Sequence, residues 1–461
     1  MALATATPTA LSNAAGDLFE DVLGAWAPDV AAWADIETLL SDPGNVGSYA
    51  ALPITVPGVG GASFVARMLH PALHARMHAT VAPLRDTVDA ALAKTVFGYR
   101  RGAEKGHRYA DDWRAFSQFV AERADSSSHL LLTDVKSFFG STPWTTVERC
   151  LRSFIGVEVP ALSDLGQTMH SVGVTTLPTG YSDARFLANI VLAVAESGVG
   201  TTYARWVDDY RFFVDGQAEA QAVLAALDQG LYKVGLRRNL DKTRLLLSHD
   251  AVERHHRTLA SVYHPERDPD EVVAARLHSV LETALLDPIA NRRQLRFVLP
   301  RLAAEHDSIA VHSALNLLEH APWEAPRLTA YLAEFATHEE VGLGANASLR
   351  AAALAGDSWL VSRLVPLVIR STVEPATLRL LHAAMPALRG TPAWGLALRL
   401  LSLHGCGSEF ITDDAEDGRA VVAAARDLQT PIPSRIARAE GPLVRATDHR
   451  PAPLPRVDTL L

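Results

Sequence analysis

Asp208 and Asp209 stand side by side in TYARWVDDYRFFV, Thr202 to Val214, whose aromatic and β-branched residues otherwise suit a buried pair of strands. Adjacent carboxylates repel one another and are costly to desolvate, so a turn must expose them or a cation must neutralise them. Acids gathered at strand ends suit hard divalent cations. Two such ions about 4 Å apart can activate an attacking hydroxyl and neutralise a leaving oxygen. A third acid is available at Asp134, which ends the apolar run His129 to Asp134, HLLLTD. The Asp-Asp pair alone is weak evidence, because Asp111-Asp112 and Asp413-Asp414 also occur and read as solvated surface.

Bringing Asp134 to the pair requires a fold that spans the 74 positions between Asp134 and Asp208. From Leu130 to Ser248 the pattern reads as strand, helices, strand, strand, helix, strand. That is the order of a ferredoxin-like βαββαβ plan, in which the first strand lies beside the central hairpin. Helices are expected at Thr145 to Phe154, at Ala161 to Ser171, from about Asp183 and over Gln217 to Val234, with a last strand at Thr243 to Ser248. Upstream, helical spacing is expected from Ser63 through Val96 and over Asp111 to Ala124, the latter capped by Asp111 or Asp112. Asp42 to Gly61 reads as a Gly/Pro-rich loop, and Asp17 to Leu40 as helix broken at Pro28. From Glu271 to Leu428, amphipathic segments such as EVVAARLHSVLETALL and LVSRLVPLVIRS suggest helix pairs stacked like an α-solenoid, without a strict repeat. Thr430 to Leu461 reads as a tail or docking segment.

Of 461 residues, 48% are hydrophobic and 21% charged, the balance of a soluble globular chain. Cys150 and Cys406 lie far apart, which argues against a disulfide framework or a cysteine zinc site and for a reducing compartment, by default the cytoplasm. Neither a signal peptide nor a membrane span is expected, since there is no positive leading region and no run of about 18 apolar residues. A net charge of −9 argues against a uniformly basic surface. Locally, however, Gly60 to Ala110 holds eight Lys or Arg against three acids. His70, His74 and His78 share a helical face, and with no carboxylate or cysteine nearby in sequence they read as a weakly basic face near nucleic acid or the core rather than a transition-metal site.

Four blocks occur in order: DVKSFF from Asp134, LPTGYSDARFLAN from Leu177, Trp206-Val207-Asp208-Asp209, and GLRRNLDKT from Gly235. Together they resemble motifs A, B, C and D of the reverse transcriptase palm, over about 40% of the chain from Gly60 to Ser248. The resemblance implies an α+β fold: a right-hand polymerase palm with helical fingers, followed by an all-α helical-repeat domain. It divides the chain into an N-terminal helical extension (1–59), fingers and palm (60–250), a helical repeat domain (251–429) and a tail (430–461). It implies an RNA-directed DNA polymerase, a nucleotidyltransferase using Mg²⁺ with Mn²⁺ as a substitute. Asp134, Val135, Asp208 and Asp209 would then be the metal ligands, with Asp209 the weakest or most indirect of the acids. Phe139 would be the steric gate against a ribose 2′-hydroxyl, Thr179 and Gly180 would face the nascent base pair, and Lys242 would donate a proton to the leaving pyrophosphate. In the basic fingers, Arg67, Arg76 and Arg100, the last within Gly98-Tyr99-Arg100-Arg101, would bind phosphate.

The sequence departs from the family's pattern at Thr179, where Gln is usual, at Trp206 before the variable position, and at Gly140, where many bacterial relatives carry Asp. No metal ligand is lost. The layout looks most like abortive-infection and other defence-associated reverse transcriptases, some of which work without a supplied template or prime from a protein hydroxyl. Tyr263 and Tyr331 are the phenols after the palm. Implied partners are dNTPs, an RNA template and nascent DNA. A non-coding RNA or partner protein on the C-terminal helices and a homo-oligomer are further expectations. Gly180-Tyr181-Ser182-Asp183-Ala184 resembles part of a hydrolase nucleophile elbow but ends in Ala. A nucleotide cyclase would need glycines where Trp206 and Val207 stand. A degenerate palm used as a scaffold would have no need of three clustered acids.

Overall fold

The computed structural model describes residues 51–59, 63–69, 71–100, 109–252, 269–407 and 410. The expected helix at Asp17 to Leu40 and the tail from Thr430 lie outside these residues, as do His70, Arg101 and Tyr263. The described residues fall into two units. One runs from Ala72 to Val252; the other combines residues 51–71 with those from 269 onward.

The described residues open with an antiparallel ribbon of β1 (Ala51–Pro57) and β2 (Ser63–Leu69), paired from Ala51↔Leu69 to Pro57↔Ser63. This corrects two expectations, a loop through Gly61 and a helix from Ser63. Pro53 and Pro57 suggested a loop, but in a two-stranded ribbon each strand has a free edge, where a missing N–H costs nothing. Helical structure starts at α1 (Pro71–Val81), turns through Ala82–Leu84 and resumes in α2 (Arg85–Ala91).

The first unit is built on a five-stranded sheet in the order β3-β5-β6-β4-β7. Its strands are β3 (Val96–Phe97), β4 (His129–Asp134), β5 (Tyr203–Trp206), β6 (Asp209–Val214) and β7 (Arg244–Leu247). β4 pairs antiparallel with both β6 and β7, β6 with β5, and β3 adds a parallel edge to β5. Four of these strands follow the ferredoxin-like order expected from periodicity. β4 is central and buried from Leu130 to Asp134, hence its unbroken apolar run.

After α1 and α2, the helices of this unit are α3 (Tyr109–Ala124), α4 (Trp144–Ile155), α5 (Pro160–Ser171), α6 (Ser182–Ala195), α7 (Gln217–Lys233) and the short α8 (Ser248–Val252). The described part of α3 is already helical at Tyr109, so Asp111 and Asp112 lie within the helix and do not precede it as a cap. α6 is buried on nearly every face, which matches its apolar sequence. α7 approaches the end of α6 at Gly230, where a Cβ would stand 1.6 Å from the Ala195 carbonyl oxygen. Only glycine fits there.

The second unit continues after residue 269 with α9 (Asp270–Leu286), α10 (Arg292–Ala304), α11 (Val311–His320), α12 (Ala325–Ala333), α13 (Glu339–Ala355), α14 (Ser358–Ile369), α15 (Pro375–Leu388) and α16 (Pro392–Leu403). From α10 to α16 each helix packs on the next but one, and α11–α12, α13–α14 and α15–α16 also pack as neighbours. The ribbon belongs here: Ile54, Val56 and Ala66 form one apolar cluster with Trp359 of α14. Among the described residues no helix is long and apolar enough to cross a membrane.

Candidate active site

Antiparallel register carries Asp134, the last residue of β4, directly opposite Asp209, the first of β6. Asp208 occupies the turn between β5 and β6. Side chains alternate across a strand, so Leu132 shares a sheet face with Asp134, and Arg211 shares one with Asp209. Leu132 lies opposite both Arg211 and Arg244, which places these two arginines one step down the sheet from the carboxylates. A surface pocket includes Asp209, Arg211, Lys242 and Arg244 in its lining.

The electrostatics of the three acids are those of an under-neutralised cluster. Burial, then the neighbouring Asp209 and Asp134, push the Asp208 carboxyl up to about 6. Asp209 is raised as well, first by burial and then by Asp134, with Arg211 opposing. Lys242 Nζ pairs with Asp134 Oδ2. Burial opposes the charge on Lys242, but Asp134, Asp209 and Asp208 outweigh it and hold its ammonium above the usual lysine value. The other oxygen, Asp134 Oδ1, is buried without a hydrogen-bond partner. A buried carboxylate oxygen in that condition is a lone pair set facing no donor, and an added cation would satisfy it. The residues therefore fit a divalent ion. Among the described residues no three His, Cys, Asp or Glu side chains already stand in a ligating arrangement. Val135 is buried and apolar, so only its carbonyl has an oxygen to offer.

The backbone around the acids is pinned from several sides. Asn239 N–H donates to the Asp134 carbonyl at 2.8 Å and Lys136 N–H to the Arg237 carbonyl at 2.9 Å, tying β4 to the segment that carries Lys242. Val207, ahead of Asp208, has φ 53°, a left-handed conformation that costs a β-branched residue on the order of 1–3 kcal/mol. Trp206 packs edge-on against Trp113 at 4.9 Å and covers Gly98, where a Cβ would meet the indole at 3.2 Å. Gly98 also has φ 74°, so both space and backbone require glycine.

The other expected residues stand on separate elements. Phe139 is half-buried in a turn, its ring edge-on to buried Phe138 at 5.2 Å. Gly180, with φ 106°, follows half-buried Thr179 and precedes α6. No strand leads into Ser182, which removes the hydrolase elbow. Arg76 is half-buried on α1, whereas Arg67 lies on β2 opposite Pro53, in the second unit.

Arg100 is corrected from a phosphate ligand to a structural clamp. Its Nε donates to Asp89 Oδ1, and its two terminal nitrogens donate to the carbonyls of Ala93, Val96, Asp89 and Leu92. A guanidinium so engaged has no donor direction left for substrate. Of the two settings expected for the histidine stripe, the structure gives the core: His74 and His78 are buried. Asp183, far away in sequence, lies 3.3 Å from His78 Nδ1 and 2.5 Å from Arg85 Nη2. Burial disfavours the Asp183 charge, but His78, Arg85 and His74 outweigh it and hold its carboxyl below the usual range. The cluster is a buried charge network in which Arg85 already neutralises the acid. Tyr331 is buried, with its hydroxyl donating to the Asp307 carbonyl at 2.7 Å.

Two features escaped sequence reasoning. Arg211 and Arg244 are recognisable only through register. Arg205, fully buried beside the turn, looked like one more strand residue. Its signal was a charge within an aromatic strand, three positions before the acids.

Residues 64–286 match the family model described as reverse transcriptase (RNA-dependent DNA polymerase). The match runs beyond Ser248 to the end of α9. No curated protein matches the chain. Reverse transcriptases generally use divalent metal ions, nucleotide substrates and a nucleic-acid template, in keeping with three acids meeting at strand ends. Residues 64–286 thus form a reverse transcriptase domain, which makes this chain an RNA-directed DNA polymerase, a nucleotidyltransferase.

Proposed function

We propose that the chain copies RNA into DNA by two-metal nucleotidyl transfer from dNTPs at Asp134, Asp208 and Asp209, in the service of antiphage defence. The observation that carries this reading is the register of Asp134 against Asp209, with Asp208 in the adjoining turn. Bound Mg²⁺ or Mn²⁺ would supply activation of a primer hydroxyl and neutralisation of charge on the leaving pyrophosphate. The three carboxylates, with the Val135 carbonyl, are the oxygens that would hold the ions.

The chain's own residues account for the remaining steps. Lys242, already paired with Asp134, carries a proton at Nζ that it can deliver to pyrophosphate. Phe139, five residues after Asp134, would exclude a ribose 2′-hydroxyl with its ring. Thr179 and Gly180 would line the nascent base pair, and Arg76 would meet phosphate. The helices from α10 onward, packed on alternate neighbours, support a stacked-pair array, and a non-coding RNA or a partner protein would bind there.

The test is dNTP incorporation by the purified full chain with Mg²⁺ or Mn²⁺. Asp208→Ala combined with Asp209→Ala is expected to abolish it, and retained incorporation would sink the assignment. Sequencing the product, with and without template and after protease, separates templated from untemplated and protein-linked synthesis.

A further inference from the structure

The turn that presents Asp208 depends on a backbone conformation that valine does not adopt unaided, φ 53° at Val207. Arg205 Nη1 donates to the Val207 carbonyl at 2.8 Å. The guanidinium that does so is fully buried and fixed at every nitrogen. Nε and Nη2 hold the Glu196 carboxylate at 2.8 and 3.3 Å, and the Tyr210 hydroxyl donates to the same carboxylate at 3.1 Å. Nη1 also donates to Asn189 Oδ1 at 2.8 Å, and Nη2 to the Asn189 carbonyl at 3.3 Å. Asn189 Nδ2 in turn donates to the Gly98 carbonyl at 3.0 Å, beneath Trp206.

Neutralising Glu196 engages only Nε and Nη2, and burial obliges the two Nη1 donors to find acceptors elsewhere. Here Nη1 is directed at Asn189 Oδ1 of α6 and at the Val207 carbonyl, so one planar fork joins α6 to the turn between β5 and β6, and Asn189 Nδ2 extends the link to the Gly98 carbonyl. Lysine carries a single point charge and cannot reproduce that fork.

We propose that Arg205, seated by Glu196 and Asn189, is a positioning residue that imposes the left-handed conformation of Val207 and thereby sets where Asp208 and Asp209 meet a divalent cation. This rests on reading Asp134, Asp208 and Asp209 as the cation site. Groups that orient metal ligands from behind change metal affinity by about 10- to 100-fold when removed.

The experiment is Mn²⁺ titration of the full chain followed by electron paramagnetic resonance of free Mn²⁺, with melting temperatures recorded in parallel. Arg205→Lys is expected to weaken Mn²⁺ binding by about 10- to 100-fold. Asn189→Ala, which leaves the Arg205–Glu196 pair in place, shifts binding in the same direction and serves if Arg205→Lys does not fold. Glycine adopts a left-handed backbone without being held. Arg205→Lys or Asn189→Ala is therefore expected to cost several-fold less in a Val207→Gly background. An equal loss in that background, or wild-type affinity in a folded Arg205→Lys or Asn189→Ala protein, overturns the proposal. If Asp208→Ala with Asp209→Ala binds Mn²⁺ as wild type does, the cation-site reading falls and this proposal with it.

Discussion

Asp134 and Asp209 face one another across the last pairing of β4 with β6, and Lys242 is bound to the first of them. The acids thus meet through backbone register, while the Lys242 ammonium paired with Asp134 comes from a separate segment. Charge repulsion among them is built into the fold and leaves measurable traces.

The first trace is pH dependence. The Asp208 carboxyl is raised from 3.8 to about 6. Between those values the folded state keeps a proton that the unfolded chain has released, so metal-free stability falls as the pH rises through this window and stays reduced above it. At about 1.4 kcal/mol per pKa unit, the loss is at most about 3 kcal/mol, and less because the side chain is only half-buried. Urea unfolding with chelator between pH 4 and 7 should show it, and Asp208→Asn should flatten the curve. Parallel curves for the two proteins would refute the assignment.

Lys242 competes with cations for Asp134 and, in the proposed chemistry, protonates the leaving group. Lys242→Ala is expected to separate these roles. Mn²⁺ binding should tighten, while single-turnover incorporation should fall by about 10²- to 10⁴-fold. Unchanged turnover would remove Lys242 from the chemistry.

Phe139→Ala opens space at the ring that would exclude the 2′-hydroxyl. The preference for dNTPs over rNTPs is expected to drop by about 10- to 200-fold, the scale of a lost steric contact in a pocket. Competition assays with one labelled nucleotide of each kind read it directly, and undiminished discrimination would place the gate elsewhere.

Tyr331→Phe tests whether the buried phenol primes synthesis. Its hydroxyl donates to the Asp307 carbonyl and accepts from Ala310 N–H. Burial raises its pKa far out of the neutral range, so it is not a ready nucleophile. A stability loss of about 1–3 kcal/mol is expected, with any protein-linked product unaffected. Loss of a protein-linked product in the folded variant would reinstate Tyr331 as a primer.

Those parts of the molecule that depend on short-range pattern were legible before folding. β4 occupies His129–Asp134 as its apolar run indicates, and the helices from Trp144 to Lys233 stand within a few residues of their periodic segments. Parts that depend on distant partners were not. Arg100 looked like a free cation because the carbonyls that engage it carry no sequence signature. His78 lacked a carboxylate only in sequence, since Asp183 arrives from 105 positions away. The β1–β2 ribbon was hidden by Pro53 and Pro57, residues that a ribbon with two open edges accepts. Arg205 was hidden by its setting, because a strand residue with a carbonyl target two positions on has no periodicity to announce it.

The position of that ribbon has a consequence for synthesis of the chain. Its inner face, Ile54, Val56 and Ala66, is completed by Trp359, about 290 residues later. At about 5–20 residues per second, the ribosome needs roughly 15–60 s to deliver that partner. A lone two-stranded ribbon is at best marginally stable in water. These strands emerge early and must wait, unpartnered on their apolar side, until the whole sheet bearing Asp134, Asp208 and Asp209 has left the ribosome. Their docking is a late event, and a chain truncated before Trp359 would carry that sheet together with a ribbon that lacks Trp359 on its apolar face.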